Sequence, residues 1–153
     1  MDMDALAAAL NADGLVARVV EPTPARTERR VAVVLEIDGA PQHTTLEVVE
    51  VPADLDDGGV LELVQLRTPV PLRLSAEATD VLARAVSNLD RTAALPGFGV
   101  DTPNQQLYHR HIALVPHGAM GLKITMEAVW LVRFTLSGLW SDILARVSGH
   151  RPH

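Results

Sequence analysis

His109 and His111 come closer than any other residues in this sequence to a pattern with recognisable chemistry. They flank Arg110 in a segment whose composition predicts a strand, so both imidazoles point to the same face. Two imidazoles placed in this way bind zinc when a third ligand arrives from elsewhere in the fold, and His43 and His117 are the candidates. No carboxylate and no histidine pair at helical spacing supports such a site, so we predict no metal and no cofactor.

The alternative interpretation of this segment is structural. We expect His109 and His111 to lie on a polar, solvent-facing strand edge, with Tyr108 and Arg110 on the other face.

Other motifs that could support chemistry are incomplete. An EF-hand loop starting at Asp54 puts Gln65 at its twelfth position, where an acidic ligand is needed, so we predict a solvated turn there. The run 97–99 (GFG) follows a predicted helix and lacks both the third glycine and the lysine of a phosphate loop. There is no G-x-S-x-G elbow and no cysteine. The sequence therefore predicts a protein that is not an enzyme.

Composition narrows the class of protein further. The 153 residues are 48% hydrophobic and 21% charged, which predicts one globular domain with a sizeable core. We expect this single α+β domain to cover 1–149, with a flexible C-terminal tail over 150–153. The net charge of −6, with no basic run longer than two residues, argues against a nucleic-acid partner. The longest apolar stretch, from Ala128 to Trp140, is interrupted by Arg133, so we expect no membrane span and a cytoplasmic location.

Hydrophobic periodicity predicts nine elements in the order α-β-β-β-β-α-β-β-α. The predicted turn at Asp38-Gly39 makes residues 30–51 a hairpin, and a second hairpin is expected over 98–115. The flexible connector 117–121 is expected to separate that hairpin from the last helix. Predicted helices cover 4–11, 125–148 and a segment that starts at Ser75 and breaks at 95–97, and predicted strands cover 15–20, 30–37, 43–51, 59–66, 98–101 and 106–115.

Two helices offer candidate contacts with a second subunit or a partner. The middle helix starts at a Ser75 N-cap and carries an apolar stripe at i, i+3, i+4 and i+7 spacing. The last helix is apolar around more than one narrow face, which is typical of a helix that packs against two neighbours. The candidate contacts on these helices are Val81, Leu82, Val86, Leu89, Trp130, Phe134 and Trp140.

One stretch carries a resemblance to a known family. A helix ends in polar residues and is followed by a Pro-Gly turn, a short strand, a second strand and a long helix. The residues that carry the likeness are Asn88-Leu89, the run 95–101 (LPGFGVD), the run 107–111 (LYHRH) and, in the first half, 14–19 (GLVARV). In this order the sequence resembles the YbjN family, which is associated with bacterial sensory transduction regulation and is similar in fold to type III secretion chaperones of the CesT type.

The resemblance implies an antiparallel sheet with helices on one face, a homodimer that often uses the middle helix and the adjoining strand, and no catalytic residues. Secretion chaperones of this kind bind extended segments of effector proteins along apolar patches. We therefore expect a non-enzymatic protein-binding module, chaperone-like or regulatory, that forms a homodimer and takes a protein or peptide partner. The alternative is a small-molecule or metal-binding regulator with His109, His111 and Tyr108 near a pocket.

Overall fold

A computed structural model describes residues 1–52 and 60–148 of the chain, and its elements follow the predicted order, α-β-β-β-β-α-β-β-α. The predicted α+β class is confirmed. The helices are α1 (Met3–Ala12), α2 (Ala76–Thr92) and α3 (Ala119–Ser148); the strands are β1 (Val16–Val20), β2 (Arg30–Leu35), β3 (Thr44–Val51), β4 (Leu61–Pro69), β5 (Phe98–Asp101) and β6 (Gln106–Pro116).

All six strands form one antiparallel sheet in the order β1-β2-β3-β4-β6-β5. Both predicted hairpins are present, as the β2–β3 and β5–β6 pairs. The β4–β6 pair has the longest register, from Leu61 opposite Pro116 to Pro69 opposite Tyr108. The crossover through α2 therefore puts β6 inside the sheet and leaves β1 and the short β5 at its edges.

The helices pack on one face of this sheet because alternate strand residues point to opposite sides. The side that faces the helices is mostly aliphatic and buried, which agrees with the few aromatic residues in the sequence, and it also includes the buried Thr68 and His109. We call the opposite side, which the helices do not cover, the open face. Core residues of the sheet include Val31, Val33, Leu46, Val48, Val64, Leu66, Leu107 and Val115.

Local signals in the sequence determine where the first two helices begin. The Asp2 carboxylate accepts a hydrogen bond from the Ala5 N–H at the start of α1. The predicted Ser75 N-cap is confirmed, because its hydroxyl oxygen accepts from the Ala78 N–H at 3.1 Å.

Most element boundaries lie within about two residues of the prediction, and two differ by more. α3 begins at Ala119 rather than near residue 125, so most of the expected connector is helical. A Cβ at Gly121 would lie 1.9 Å from the Pro116 carbonyl oxygen, so this glycine allows the first turn of α3 to pack tightly on the end of β6. β4 also continues to Pro69, because a proline is tolerated at a strand end where its missing N–H is not needed.

Three predictions concern residues that the structure does not describe. The turn that includes Asp54 lies outside the described residues, as do the first residue of the fourth predicted strand and the tail over 150–153.

Candidate protein-binding surface

Three of the seven candidate contact residues belong to the core of the chain itself. Leu82 and Leu89 are 0% and 1% exposed, because the apolar stripe of α2 faces the sheet. Trp140 is 4% exposed, and its indole N–H donates to the Gly39 carbonyl oxygen at 3.0 Å. These side chains stabilise the monomer, and their burial leaves them no surface to offer a partner.

The other four candidates reach the surface to different degrees. Val81 and Val86 are half-buried on α2. Trp130 is also half-buried, and its indole N–H donates to the Asp13 carboxylate at 2.6 Å. Phe134 is 66% exposed on α3, so it is the large aromatic side chain of this set that remains open to solvent.

The histidine segment has a different environment from the one predicted. His109 is fully buried, because β6 is an interior strand and its odd-numbered residues face the helices. The expectation of a solvent-facing edge is therefore wrong for His109. His111 lies on the same face and is half-buried, while Tyr108 and Arg110 lie on the other face, as predicted.

The surroundings of His109 determine which ring nitrogen donates and in which direction its pKa shifts. Its Nε2 lies 2.8 Å from the Leu95 carbonyl oxygen, and because a carbonyl only accepts, Nε2 carries the proton. Nδ1 is buried and has no partner among the described residues. Burial lowers the pKa of His109 below its ordinary value, more strongly than the hydrogen bond to Leu95 raises it. Burial also lowers the pKa of His111.

The four histidines considered as zinc ligands do not converge. His43 is exposed near Glu36, and His117 contacts Glu62 through Nδ1, at sites separate from the buried His109. Within residues 1–52 and 60–148, no group of three or more histidines and acidic residues has a geometry that could hold a metal ion. Tyr108 points to the opposite side of β6 from His109 and His111, so these three side chains do not share a pocket.

The Pro-Gly turn that carries the resemblance serves packing. The Asp90 carboxylate accepts from the N–H groups of Gly97 and Phe98, both at 2.9 Å. The Gly97 carbonyl accepts from the Arg110 N–H at 2.8 Å, and the Phe98 ring meets the His109 ring edge to face. This turn therefore joins the end of α2 to the edge of the sheet, and Gly97 has the positive φ of 145° that the turn requires.

The open face of the sheet carries a polar cleft of about 310 Å³. Arg67 on β4 lies directly opposite Arg110 on β6, so two like charges are cross-strand neighbours. Such a pair is destabilising in isolation. The cleft is lined by Gln65, Arg67, Val100, Asp101, Tyr108 and Arg110.

Both guanidinium groups are positioned without a carboxylate. The Arg67 guanidinium stacks over the Tyr108 ring at 5.4 Å, and the ring itself lies against Gly99, where a Cβ would come within 2.5 Å of it. The Arg110 Nε donates to the Gln65 side-chain oxygen at 2.8 Å. In the part of the chain that the structure describes, neither arginine forms an ion pair.

The nearest cross-strand carboxylate is already engaged. Glu47 on β3 lies opposite Arg67 in the sheet, but its side chain binds Arg26 at 2.7 Å and Arg30 at 3.1 Å. Asp101 also lines the cleft, but its carboxylate accepts hydrogen bonds from the Asn104 N–H and side-chain amide. A carboxylate or phosphate brought from outside would therefore meet two oriented guanidinium groups that have no ion-pair partner among the described residues, an arrangement that favours bidentate anion binding.

An apolar strip continues from this cleft along β6. Ile112 and Leu114 follow Tyr108 and Arg110 on the same side of the strand and are 44% and 53% exposed. Side chains on one side of a strand repeat about every 7 Å. The open face thus presents aromatic, cationic and aliphatic groups in a line along one strand.

The outer side of the helix layer is also apolar. By length and composition α3 meets the criterion for a membrane-crossing helix, which the sequence analysis did not anticipate. Its inner side packs on the sheet through buried residues such as Val129, Val132 and Leu136.

The described chain is an α+β fold with one sheet face covered by helices and one left open. No protein-family model matches the sequence, and no curated protein matches it significantly.

Arg67, Arg110 and Gln65 were not among the site residues predicted from the sequence. The period-two alternation of each strand could have put Arg110 beside Tyr108 on one face. Pairing Arg110 with Arg67, however, requires the register of two strands that a helix separates in the sequence.

Proposed function

We propose that this protein is a non-enzymatic protein-binding module, chaperone-like or regulatory, that holds an extended segment of another protein on the open face of its sheet. The single observation that carries the proposal is the Arg67–Arg110 pair. Two guanidinium groups are oriented by Tyr108 and Gln65, have no acidic partner in the described chain, and stand beside exposed aliphatic side chains.

The chemistry of the face defines the partner segment. An acidic side chain would neutralise the arginine pair, and an apolar side chain next to it would cover Ile112 and Leu114. An extended segment also displays its side chains with a period of two, so its spacing matches that of β6. The resemblance to the YbjN family and to CesT-type secretion chaperones supports the same kind of partner.

The experiment is selection of binding peptides from a display library of random peptides about a dozen residues long, with the full chain as bait. We expect enrichment of an acidic residue flanked by apolar residues. A selected peptide should bind Arg67→Gln and Arg110→Gln about tenfold or more weakly, since each variant loses a charge-assisted contact.

The matched control is Arg84→Gln on α2, an exposed arginine on the helix side of the fold. This variant should bind the peptide as the wild type does. The arginine variants should also be at least as stable as the wild type, because each relieves the like-charge pair. Selected peptides without acidic residues, or equal loss of affinity in Arg84→Gln, would contradict the proposal.

A second candidate is a regulator that binds a small anionic molecule in the same cleft, whose volume of about 310 Å³ is near the lower end of ligand pockets. Thermal-shift measurements with inorganic phosphate and short dicarboxylates distinguish it from the first. A ligand at about 100 times its Kd adds roughly 2.7 kcal/mol to the free energy of unfolding. A shift that Arg110→Gln abolishes, together with no peptide enrichment, would favour this function over the first.

A further inference from the structure

The solvent-facing side of α3 carries a second apolar stripe, separate from the one that packs on the sheet. Its residues alternate at spacings of four and three, the heptad pattern of a helix that packs along another helix. Met120 and Phe134 are 61% and 66% exposed, and Ile124 and Leu131 are also exposed. The stripe consists of Met120, Ile124, Glu127, Leu131, Phe134, Gly138, Ser141 and Ala145.

The side chains of the stripe are large at one end of the helix and small at the other. Its first five residues carry long or bulky side chains, and its last three are Gly138, Ser141 and Ala145. Gly138 is exposed in the interior of a 30-residue helix, and a Cβ there would meet nothing within 4 Å. Glycine disfavours the helix relative to alanine, and nothing in the packing of the described residues requires a glycine here.

We propose that a second copy of this chain packs antiparallel on this stripe, so that the large end of each α3 covers the small end of the other. Placing Leu131 opposite the partner's Phe134 fixes the register. Outside this central pair of large side chains, each large residue meets a small one: Met120 lies opposite the partner's Ala145, Ile124 opposite the partner's Ser141, and Glu127 opposite the partner's Gly138. The exposed glycine thereby gains a role, since it lets the two helices approach closely.

The charges favour this direction over the parallel one. In a parallel pair Glu127 would face the same carboxylate of the partner. In the antiparallel pair the two carboxylates lie about 16 Å apart along the helix axis, each beside a glycine. The antiparallel register also places Lys123 level with the partner's Asp142, so groups of opposite charge lie near each end of the helix pair.

A second copy fits the stripe better than a lipid surface does. A membrane would require apolar residues along its whole length, whereas here Glu127 lies in the middle of the stripe and Lys123 and Asp142 lie near its ends. The contact would be about 38 Å long. A single helix pair of that length is at the small end of stable interfaces, so we expect a dimer that dissociates on dilution.

The first test is sedimentation equilibrium of the full chain over a range of concentrations. The wild type should show a monomer–dimer equilibrium. Leu131→Glu and Gly138→Leu should each raise the dissociation constant at least tenfold. The matched control is Ile112→Glu, which puts the same charge at an exposed aliphatic position on the open face and should leave the dimer unchanged.

Gly138→Leu distinguishes a role of Gly138 in the dimer interface from a role in the stability of the monomer. At concentrations where the protein is monomeric, it should melt at the same temperature as the wild type or higher, because its side chain enters open space. If Gly138 lies in the dimer interface, Gly138→Leu should therefore weaken dimerisation without lowering the melting temperature of the monomer.

The register is tested by cross-linking, since the chain contains no cysteine. A double variant with Ile124→Cys and Ser141→Cys should form a disulfide-linked dimer under mild oxidation, while each single variant should not. Cross-linking of both single variants would show the parallel arrangement and overturn the proposal.

Three further outcomes would also overturn it: a wild type that is monomeric at every concentration, a dimer that resists Leu131→Glu and Gly138→Leu, or a monomer that co-sediments with phosphatidylglycerol–phosphatidylethanolamine vesicles through α3. The proposal is independent of the peptide site, because its variants lie on α3 and those of the peptide site lie on the sheet.

Discussion

Replacing Gly97 by alanine tests whether the turn between α2 and β5 locks the sheet edge to the helix layer. At φ = 145° the residue occupies a backbone region that side chains rarely adopt. The added Cβ would lie 2.1 Å from the Arg110 carbonyl oxygen and 3.3 Å from the His109 Nε2. Because the first of these neighbours is backbone of β6, a small side-chain adjustment cannot relieve the contact.

The expected cost follows from these contacts. Backbone strain at such a φ costs of order 1–3 kcal/mol. Moving the turn away from β6 also breaks the hydrogen bond from the Arg110 N–H to the Gly97 carbonyl and weakens the two hydrogen bonds that Asp90 accepts. Each of these hydrogen bonds contributes about 1 kcal/mol. We expect Gly97→Ala to lower the free energy of unfolding by about 3–5 kcal/mol. A domain of this length would then melt roughly 6–20 °C lower.

The assay is urea unfolding followed by far-UV circular dichroism, with Gly14→Ala as the matched control. Gly14 also has a positive φ, 91°, but a Cβ there would meet nothing within 4 Å. Its substitution therefore measures the backbone strain alone, about 1–2 kcal/mol. Equal losses in the two variants would refute the reasoning, because they would show that the close approach to Arg110 contributes nothing.

Two more predictions concern the same region. Asp90→Ala leaves the N–H groups of Gly97 and Phe98 without their acceptor and should cost about 2–3 kcal/mol in urea unfolding, whereas Asp90→Asn, which retains one acceptor oxygen, should cost less. The lowered pKa of His109 means that the unfolded chain binds a proton more readily, so stability is complete above about pH 6.5 and falls as the pH drops toward the folded-state pKa. His109→Gln should make the free energy of unfolding fall less steeply on the acid side when it is measured across pH. A smaller pH dependence should remain, because the pKa of His111 is also lowered. An unchanged pH dependence would contradict the assignment to His109.

The order of elements was predictable because most segments carry a strong local signal. α2 combines a serine N-cap with an apolar stripe at helical spacing, and β2 is rich in valine. The start of α3 was not predictable from local sequence, because Gly118 and Gly121 suggest a break. Only the tight contact of Gly121 with Pro116 shows why a glycine belongs inside that helix.

Which side of β6 is buried could not be predicted from the sequence. Its outward side carries Ile112 and Leu114 and its inward side carries His109 and His111, so neither face is clearly apolar. The buried side depends on which strands flank β6 and which helices cover it, and both depend on long-range pairing. The arginine pair has the same origin, since it exists only through the β4–β6 register.

The location of the two proposed contact surfaces determines how they would work together. The cleft with Arg67 and Arg110 lies on the open face, whereas the stripe with Leu131 and Phe134 lies on the helix layer that covers the other face. Pairing through α3 would therefore leave both open faces accessible, and each dimer would present two equivalent peptide sites. A partner with two binding segments would bind such a dimer more tightly than a monomer, without any new contact. Leu131→Glu should remove that gain while leaving the affinity for a single peptide unchanged, because it alters the assembly and leaves the cleft intact.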